Sequence, residues 1–243
     1  MPKVGIIIQA RLGSTRLPEK VLKPISGRPM LQLLLERVQV CQNVGKIVVA
    51  TTTAAADDRL AEYCETEQIV CFRGSQENVL ERYLQAAALF GIDPLVRITG
   101  DCPLVDPNLI EMLIEKHQVE QNDYTSNVIT RTFPRGLDAE VVNYATLERV
   151  KALADEPHYF EHVTLYIYTH PELFQLSNLS ASKEFAHPEF RLTVDTAEDF
   201  QLMEQIYQRL YQGSPIDNRL VLKLLQDDPE LASLNRHIQQ KKV

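Results

Sequence analysis

A group of cationic and hydroxyl side chains follows the first apolar run of the chain. Residues 4–8 are apolar apart from one glycine, and residues 9–20 read QARLGSTRLPEK, so three cations and two hydroxyls share one loop. Backbone N–H groups, guanidinium forks and an ammonium around one point suit a polyphosphate. We interpret the stretch as a triphosphate-binding loop. Its expected binding residues are Ala10, Arg11, Gly13, Ser14, Thr15, Arg16 and Lys20.

The spacing of this loop excludes two familiar phosphate motifs. Neither GxxxxGK[ST] nor GxGxxG occurs in it, so it is neither a P-loop nor a dinucleotide fingerprint. A basic, solvated surface turn is the alternative. Its position argues against that alternative, because ligands of open α/β sheets bind beyond the carboxyl ends of parallel strands.

A second group of polar residues follows the apolar run at residues 95–99. There the chain continues as Gly-Asp-Cys-Pro-Leu, which places Asp101 just beyond a predicted strand. Triphosphate chemistry needs a divalent cation, and Mg²⁺ typically takes one or two carboxylates besides phosphate oxygens and water. Asp101 can supply one such carboxylate. An aspartate that only caps a turn is the equally weighted alternative.

A third group lies at residues 190–199, FRLTVDTAED. We expect residues 192–194 to form a β-strand that ends at Asp195. Thr196 and Asp199 have the spacing of a helix-capping pair, so Asp195 can also be read as part of a helix start.

Together these motifs resemble the cytidylyltransferases that activate sugars with CTP. The loop resembles the ARxxSTRLPxK signature of 3-deoxy-manno-octulosonate cytidylyltransferases and, more loosely, acylneuraminate cytidylyltransferases, and the overall likeness is greatest to the SpsF branch. The resemblance implies a loop that grips the triphosphate and two metal-binding aspartates, Asp101 and Asp195. Cys102 departs from the glutamate usual in the octulosonate enzymes, which weakens the case for that substrate.

The same resemblance suggests an acceptor site in the middle of the chain. The segment GLDAEV would bring Asp138 and Glu140 to the sugar side of the cleft, and an exposed turn with an edge strand is the alternative. The block around His162 would close the acceptor pocket or form a dimer contact, with helical aromatic packing as the alternative. Zinc is not expected there, because HExxH and a cysteine partner are both missing.

The elements between these motifs alternate between strand and helix. Apolar runs at 4–8, 46–50, 69–72 and 95–99 predict buried strands, and amphipathic stretches such as 58–67, 77–90 and 109–117 predict helices. We therefore expect an α/β fold with a mostly parallel, Rossmann-like sheet and helices on both faces, of the nucleotide-diphospho-sugar transferase type, with a β-rich insertion. Thr51 and Arg73 end two of these strands and are included among the nucleotide-binding candidates.

Composition narrows the class of protein further. The net charge of −8 and the pI near 5.3 disfavour nucleic acid as a partner. The four cysteines lack paired ligand spacing, and no signal peptide or membrane-spanning run is recognised, so a cytoplasmic enzyme without a membrane role is expected. Residues 1–243 are expected to form one domain, with 124–185 a candidate acceptor-binding and dimerisation region of a homodimer.

The expected function is Mg²⁺-dependent transfer of CMP from CTP to a sugar or sugar acid, in surface polysaccharide or glycan synthesis. Two alternatives from other classes are a glycosyltransferase that uses a nucleotide sugar and a nucleotide-binding protein without turnover. The basic loop disfavours the glycosyltransferase, because three cations after the first strand suit a triphosphate and its leaving pyrophosphate.

Overall fold

A seven-stranded sheet lies at the centre of the computed structural model, which describes residues 3–240. Its strand order is β5-β4-β1-β6-β8-β7-β9, and β2 and β3 form a separate two-stranded hairpin. The strands, in chain order, are β1 (Lys3–Gln9), β2 (Pro24–Ile25), β3 (Arg28–Pro29), β4 (Lys46–Thr52), β5 (Cys71–Gly74), β6 (Ile92–Thr99), β7 (Tyr124–Ser126), β8 (Glu140–Val142) and β9 (Leu176–Asn178).

Ten α-helices connect and cover these strands within the described residues. They are α1 (Met30–Val38), α2 (Asp58–Thr66), α3 (Val79–Phe90), α4 (Pro107–Glu120), α5 (Tyr144–Leu153), α6 (Pro157–Glu161), α7 (Leu165–Thr169), α8 (Ala197–Leu210), α9 (Asn218–Asp227) and α10 (Pro229–Ser233). None of the helices across residues 3–240 has both the length and the apolarity that a bilayer crossing requires.

The first half of the sheet is parallel. Strand β1 pairs in parallel with β4 on one side and β6 on the other, and β4 pairs in parallel with β5. Side chains alternate across β1: Ile6 and Ile8 enter the core beneath α1, α2, α4 and α8, whereas Ile7 enters the core beneath α3 and α5. A strand buried on both faces must be apolar throughout. The predicted α/β class, with helices on both faces, is confirmed.

The second half of the sheet interrupts the parallel order. Strand β8 pairs antiparallel with both β6 and β7, and β9 adds to β7 in parallel. This is the predicted β-rich insertion, although residues 127–139 between β7 and β8 contain no strand. His162 lies between two short helices, α6 and α7, and its role in an acceptor pocket, a dimer contact or helical packing stays a prediction.

Two predicted strands are wrong in detail. Residues 192–194 form no strand, because the neighbouring Arg191 makes only an isolated parallel bridge with Arg135 and the Val194 N–H donates to the Asp101 carbonyl. The third strand is β5, which begins two residues after the predicted start at residue 69. Ile69 is still tied to the preceding helix, because its N–H donates to the Cys64 carbonyl at 2.8 Å.

Candidate active site

The basic loop after β1 is held to the sheet at its first leucine. Leu12 and Leu17 are buried, which anchors both ends of the exposed part of the loop. The Leu12 N–H donates to Asp57 Oδ1 at 2.6 Å, and the other oxygen of this buried carboxylate accepts the hydroxyl of Thr52. A buried carboxylate with two donors fixes the loop more firmly than solvent contacts can.

The cations and hydroxyls of the loop differ from these leucines in exposure. Arg11, Gly13, Thr15 and Arg16 are exposed, and Ser14 and Lys20 are partly buried. Ala10 is buried, and its N–H donates to the Ala50 carbonyl of β4. The exposed cations therefore lie beyond the carboxyl ends of the parallel strands, at the edge where the sequence placed them.

Asp101 lies next to this loop because β6 runs beside β1. The Gly100 N–H donates to the Gln9 carbonyl at 2.9 Å, which joins the two strand ends directly. The Thr99 hydroxyl donates to Asp101 Oδ1 at 2.6 Å and orients the carboxylate. Asp101 accepts this side-chain hydroxyl and the ammonium of Lys20, so it does more than cap a turn.

Asp195 reaches the same place by way of the extended residues 190–194. The Val194 N–H donates to the Asp101 carbonyl at 2.8 Å. On its other side this segment packs against Gly136, where a Cβ would lie 2.4 Å from the Leu192 carbonyl carbon, and φ is +102°. Only glycine allows so close an approach in this backbone conformation.

Three motifs therefore meet at the Lys20 ammonium. Lys20 Nζ lies 3.0 Å from Asp101 Oδ2, 2.9 Å from Asp195 Oδ1 and 2.7 Å from the Val194 carbonyl oxygen. Burial alone would lower the pKa of Lys20, but the carboxylates of Asp101 and Asp195 outweigh it and hold that pKa above its ordinary value. Arg16 completes the group, with Nη2 at 3.1 Å from Asp195 Oδ2.

Asp195 is held in place by arginines rather than by a helix cap. Burial alone would raise the pKa of Asp195, but Lys20, Arg16 and Arg191 hold it below its usual value. Thr196 and Asp199 form the predicted capping box at the start of α8, so the capping pattern is confirmed. The Asp195 carboxylate takes no part in that cap. It faces the cleft.

The donor set at this point fits a hard divalent cation. Asp101 and Asp195 each direct one carboxylate oxygen to the position of the Lys20 ammonium, and Mg²⁺ prefers such oxygens. Within residues 3–240 no group of three or more His, Cys, Asp or Glu side chains is placed to hold a metal ion. Two carboxylates agree with a Mg²⁺ ion that takes its other ligands from phosphate and water.

The two strand-end candidates near the loop, Thr51 and Arg73, differ in their contacts. Thr51 is fully buried, and its hydroxyl has no hydrogen-bond partner among the described residues. Arg73 donates to the carbonyls of Thr52 and Ala54 and to Asp58. Arg73 thus braces the turn that carries the buried Asp57. Nucleotide contacts by Thr51 and Arg73 stay predictions.

Glu140 is the centre of a buried network. Its carboxylate pairs with Arg97 and accepts the hydroxyls of Tyr124 at 2.7 Å and Thr164 at 2.6 Å. Arg97 also donates to the Gln9 side chain at 3.1 Å, at the base of the basic loop. The network therefore connects β1, β6 and β8 at the base of the basic loop. Acceptor binding by Glu140 stays a prediction.

The other acceptor candidates lie on both sides of this network. Asp138 forms a two-pronged ion pair with Arg131, at 2.7 and 2.9 Å. His162 is partly buried, two residues before Thr164, and burial lowers its pKa although Glu161 opposes the shift. Acceptor binding by Asp138 and His162 is likewise a prediction.

Sequence reasoning missed three residues that organise the site: Asp57, Arg97 and Arg191. Arg191 donates to Asp195 at 2.8 Å and to Asp199 at 2.9 and 3.2 Å, and it is 8% exposed. A charged residue inside an apolar run was the available signal for Arg97 and Arg191. Asp57 had no such signal, because it precedes a helix start where aspartate is common.

Comparison with known proteins agrees with this geometry. The cytidylyltransferase family model matches residues 5–227. The spore coat polysaccharide biosynthesis protein SpsF of Bacillus subtilis is 37% identical over 96% of this chain and 98% of its own. A solved cytidylyltransferase from Leptospira borgpetersenii superimposes with a TM-score of 0.89 and 30% identity over the whole of both chains.

A more distant structure agrees in fold alone. A CMP-2-keto-3-deoxy-manno-octonic acid synthetase solved with CTP has a TM-score of 0.67 and 17% identity, over 85% of this chain and 99% of that one. The two proteins thus share the arrangement of the sheet and its helices.

Proposed function

Because this chain belongs to the cytidylyltransferase family, we propose that it activates a sugar or sugar acid by transferring CMP from CTP, in the synthesis of a surface polysaccharide. Its likeness to a spore coat polysaccharide protein supports the pathway class. The observation that carries the proposal is the convergence of Arg16, Lys20, Asp101 and Asp195 at one strand edge.

The proposed reaction is an in-line displacement at the α-phosphorus of CTP. A hydroxyl of the acceptor attacks, the bond to the β-phosphate oxygen breaks, and pyrophosphate leaves. Arg11 and Arg16 are exposed beside the cleft, where they can offset the charge that grows on pyrophosphate. Lys20 also offsets this charge once its ammonium contacts the phosphate. Catalysis in this scheme is mainly positioning and electrostatics.

Asp101 and Asp195 are the residues that would hold Mg²⁺. The ion, when bound, would shield the phosphate charge and polarise the phosphoryl oxygen. The chain itself supplies the orientation: Thr99 fixes Asp101, and Arg191 fixes Asp195. Magnesium dependence is thus part of the proposal, supported by the two converging carboxylates.

The acceptor is proposed to bind between β8 and the helices α6 and α7. Asp138 and His162 are partly exposed, and Glu140 is buried. The wider region, residues 124–185, is also the proposed dimer contact, with Leu153 and Leu173 exposed on it at 49% and 40%. Since the reaction consumes a nucleoside triphosphate, we place the enzyme in the cytoplasm.

Pyrophosphate release tests the proposal. The purified full chain is incubated with Mg²⁺, each of the four NTPs, and a panel of eight-carbon and nine-carbon keto-sugar acids. Release that requires both CTP and one acceptor supports the proposal. A glycosyltransferase would release none, and a nucleotide-binding protein would bind CTP without turnover. Gel filtration with light scattering on the same sample tests the proposed dimer.

A further inference from the structure

The ammonium of Lys20 has no donor left for a ligand in this structure. An ammonium has three N–H donors. All three find acceptors in the chain, at Asp101, Asp195 and the Val194 carbonyl, within 3.0 Å. The side chain is 11% exposed. A lysine that grips phosphate must first give up these contacts.

The two aspartates are aimed at this point by groups other than the lysine. Thr99 holds Oδ1 of Asp101, which leaves Oδ2 for the ammonium. Arg16 and Arg191 hold Oδ2 of Asp195, which leaves Oδ1. The pair of oxygens therefore stays directed at one point when the ammonium departs. The chain has a preformed cation position, and its own lysine occupies it.

Resting on the proposed function, we propose that Lys20 and the divalent cation exchange at the position between Asp101 and Asp195. The ammonium is the counter-ion of the two carboxylates in the resting protein. When the cation enters, the ammonium leaves this position and turns to the triphosphate. Lys20 thus competes with the cation for this position and also binds phosphate.

Electrostatics makes the two occupants alternatives. Two converging carboxylates repel unless a cation lies between them, so the position needs one. Two cations cannot share it, because they would repel at such short range. A lysine suits the exchange, since its compact charge lies on a flexible four-carbon stem.

The exchange couples binding of the cation to binding of the nucleotide. Without nucleotide, the displaced ammonium exchanges three preorganised acceptors, two of them carboxylates, for water, so the cation binds weakly. With CTP present, phosphate oxygens replace those acceptors. By linkage each ligand then strengthens the binding of the other. The cation is accordingly expected to arrive with the nucleotide rather than before it.

Manganese binding to the nucleotide-free full chain tests the exchange directly. The Mn²⁺ affinity is measured by electron paramagnetic resonance for the wild type, Lys20→Met and Lys23→Met. Lys23→Met removes the same charge three residues away and is the matched control. We expect Lys20→Met to bind Mn²⁺ at least about tenfold more tightly than the wild type, and Lys23→Met to change much less. Lys20→Gln repeats the test with a side chain that still donates to a carboxylate, should Lys20→Met fold poorly.

A double variant identifies the site at which the gain arises. Lys20→Met combined with Asp101→Asn should lose the added affinity. Equal or weaker Mn²⁺ binding by both Lys20 variants would overturn the exchange, as would a gain that persists in the double variant. The measurement uses neither CTP nor acceptor, so it is separate from the proposed function. The wild type could release pyrophosphate while removal of Lys20 leaves the Mn²⁺ affinity unchanged. That outcome would contradict the exchange but not the proposed function.

Discussion

The carboxylate of Asp57 accepts the backbone N–H of Leu12 at 2.6 Å, across 45 residues of sequence. This contact joins the basic loop after β1 to the turn after β4. Because Asp57 is 2% exposed and also accepts the Thr52 hydroxyl, the loop rests on a buried and satisfied anion. The exposed part of the loop is therefore held in place by a buried contact before any ligand binds.

Asp57→Ala should loosen this loop. The Leu12 N–H and the Thr52 hydroxyl would lose a buried acceptor, which costs about 1–3 kcal/mol. We expect a lower free energy of unfolding in denaturant titration and a raised KM for CTP. Asp57→Asn keeps an acceptor oxygen and should lie between the wild type and Asp57→Ala. Glu62→Ala removes an exposed carboxylate of α2 as the control, and an equal effect from it would contradict the anchoring role.

Lys20→Ala should weaken CTP use. Its ammonium contacts both Asp101 and Asp195, and loss of one donor to a phosphate transition state typically costs about 100-fold or more in turnover. Steady-state pyrophosphate release gives kcat and KM for CTP. Lys23→Ala is the matched control and should stay near the wild type. Wild-type kinetics for Lys20→Ala would remove the lysine from the phosphate site.

Asp101→Asn and Asp195→Asn should each remove most Mg²⁺-dependent turnover. Asparagine keeps the shape of the side chain but removes the charge that attracts the cation. Turnover is titrated against Mg²⁺ for both variants, and circular dichroism checks that they are folded. Asp106→Asn is the control, because Asp106 caps α4 and asparagine caps a helix about as well. A wild-type Mg²⁺ response in both site variants would leave the metal position without support.

Glu140→Ala should destabilise the protein more than it weakens acceptor binding. The variant leaves Arg97 as an uncompensated buried charge, and breaking a buried ion pair costs about 3–5 kcal/mol. The free energy of unfolding is compared with that of Lys116→Ala, which breaks an exposed ion pair on α4 and should cost under about 1 kcal/mol. Unchanged stability with a raised acceptor KM would instead make Glu140 a direct acceptor ligand.

Local sequence was enough to predict the motifs that bear charge. Arg16, Lys20 and Asp101 each follow an apolar run, and such runs become buried parallel strands whose carboxyl ends meet at one edge. That part of the site is encoded by patterns within about ten residues. The alternation of strands and helices predicts a mostly parallel sheet, but the position of β6 beside β1 was not predicted.

The parts that sequence did not predict depend on distant contacts. Residues 192–194 have strand-like alternation but no free ladder partner, because the Val194 backbone bonds Asp101 and Lys20 instead. β-Propensity measures fit to a half-buried surface rather than pairing. The bond between Asp57 and Leu12 likewise depends on the folded arrangement of two loops, and no local pattern indicates it.

The fate of the CTP phosphates is the most direct test of CMP transfer from CTP to a sugar. CTP labelled at the α-phosphorus and CTP labelled at the γ-phosphorus are each incubated with the full chain, Mg²⁺ and the acceptor that supports turnover. We expect that the α-label enters a CMP-sugar product and that the γ-label leaves in pyrophosphate, in equal amounts. An α-label that never joins the sugar, or a γ-label that appears as free phosphate or on the acceptor, would contradict it.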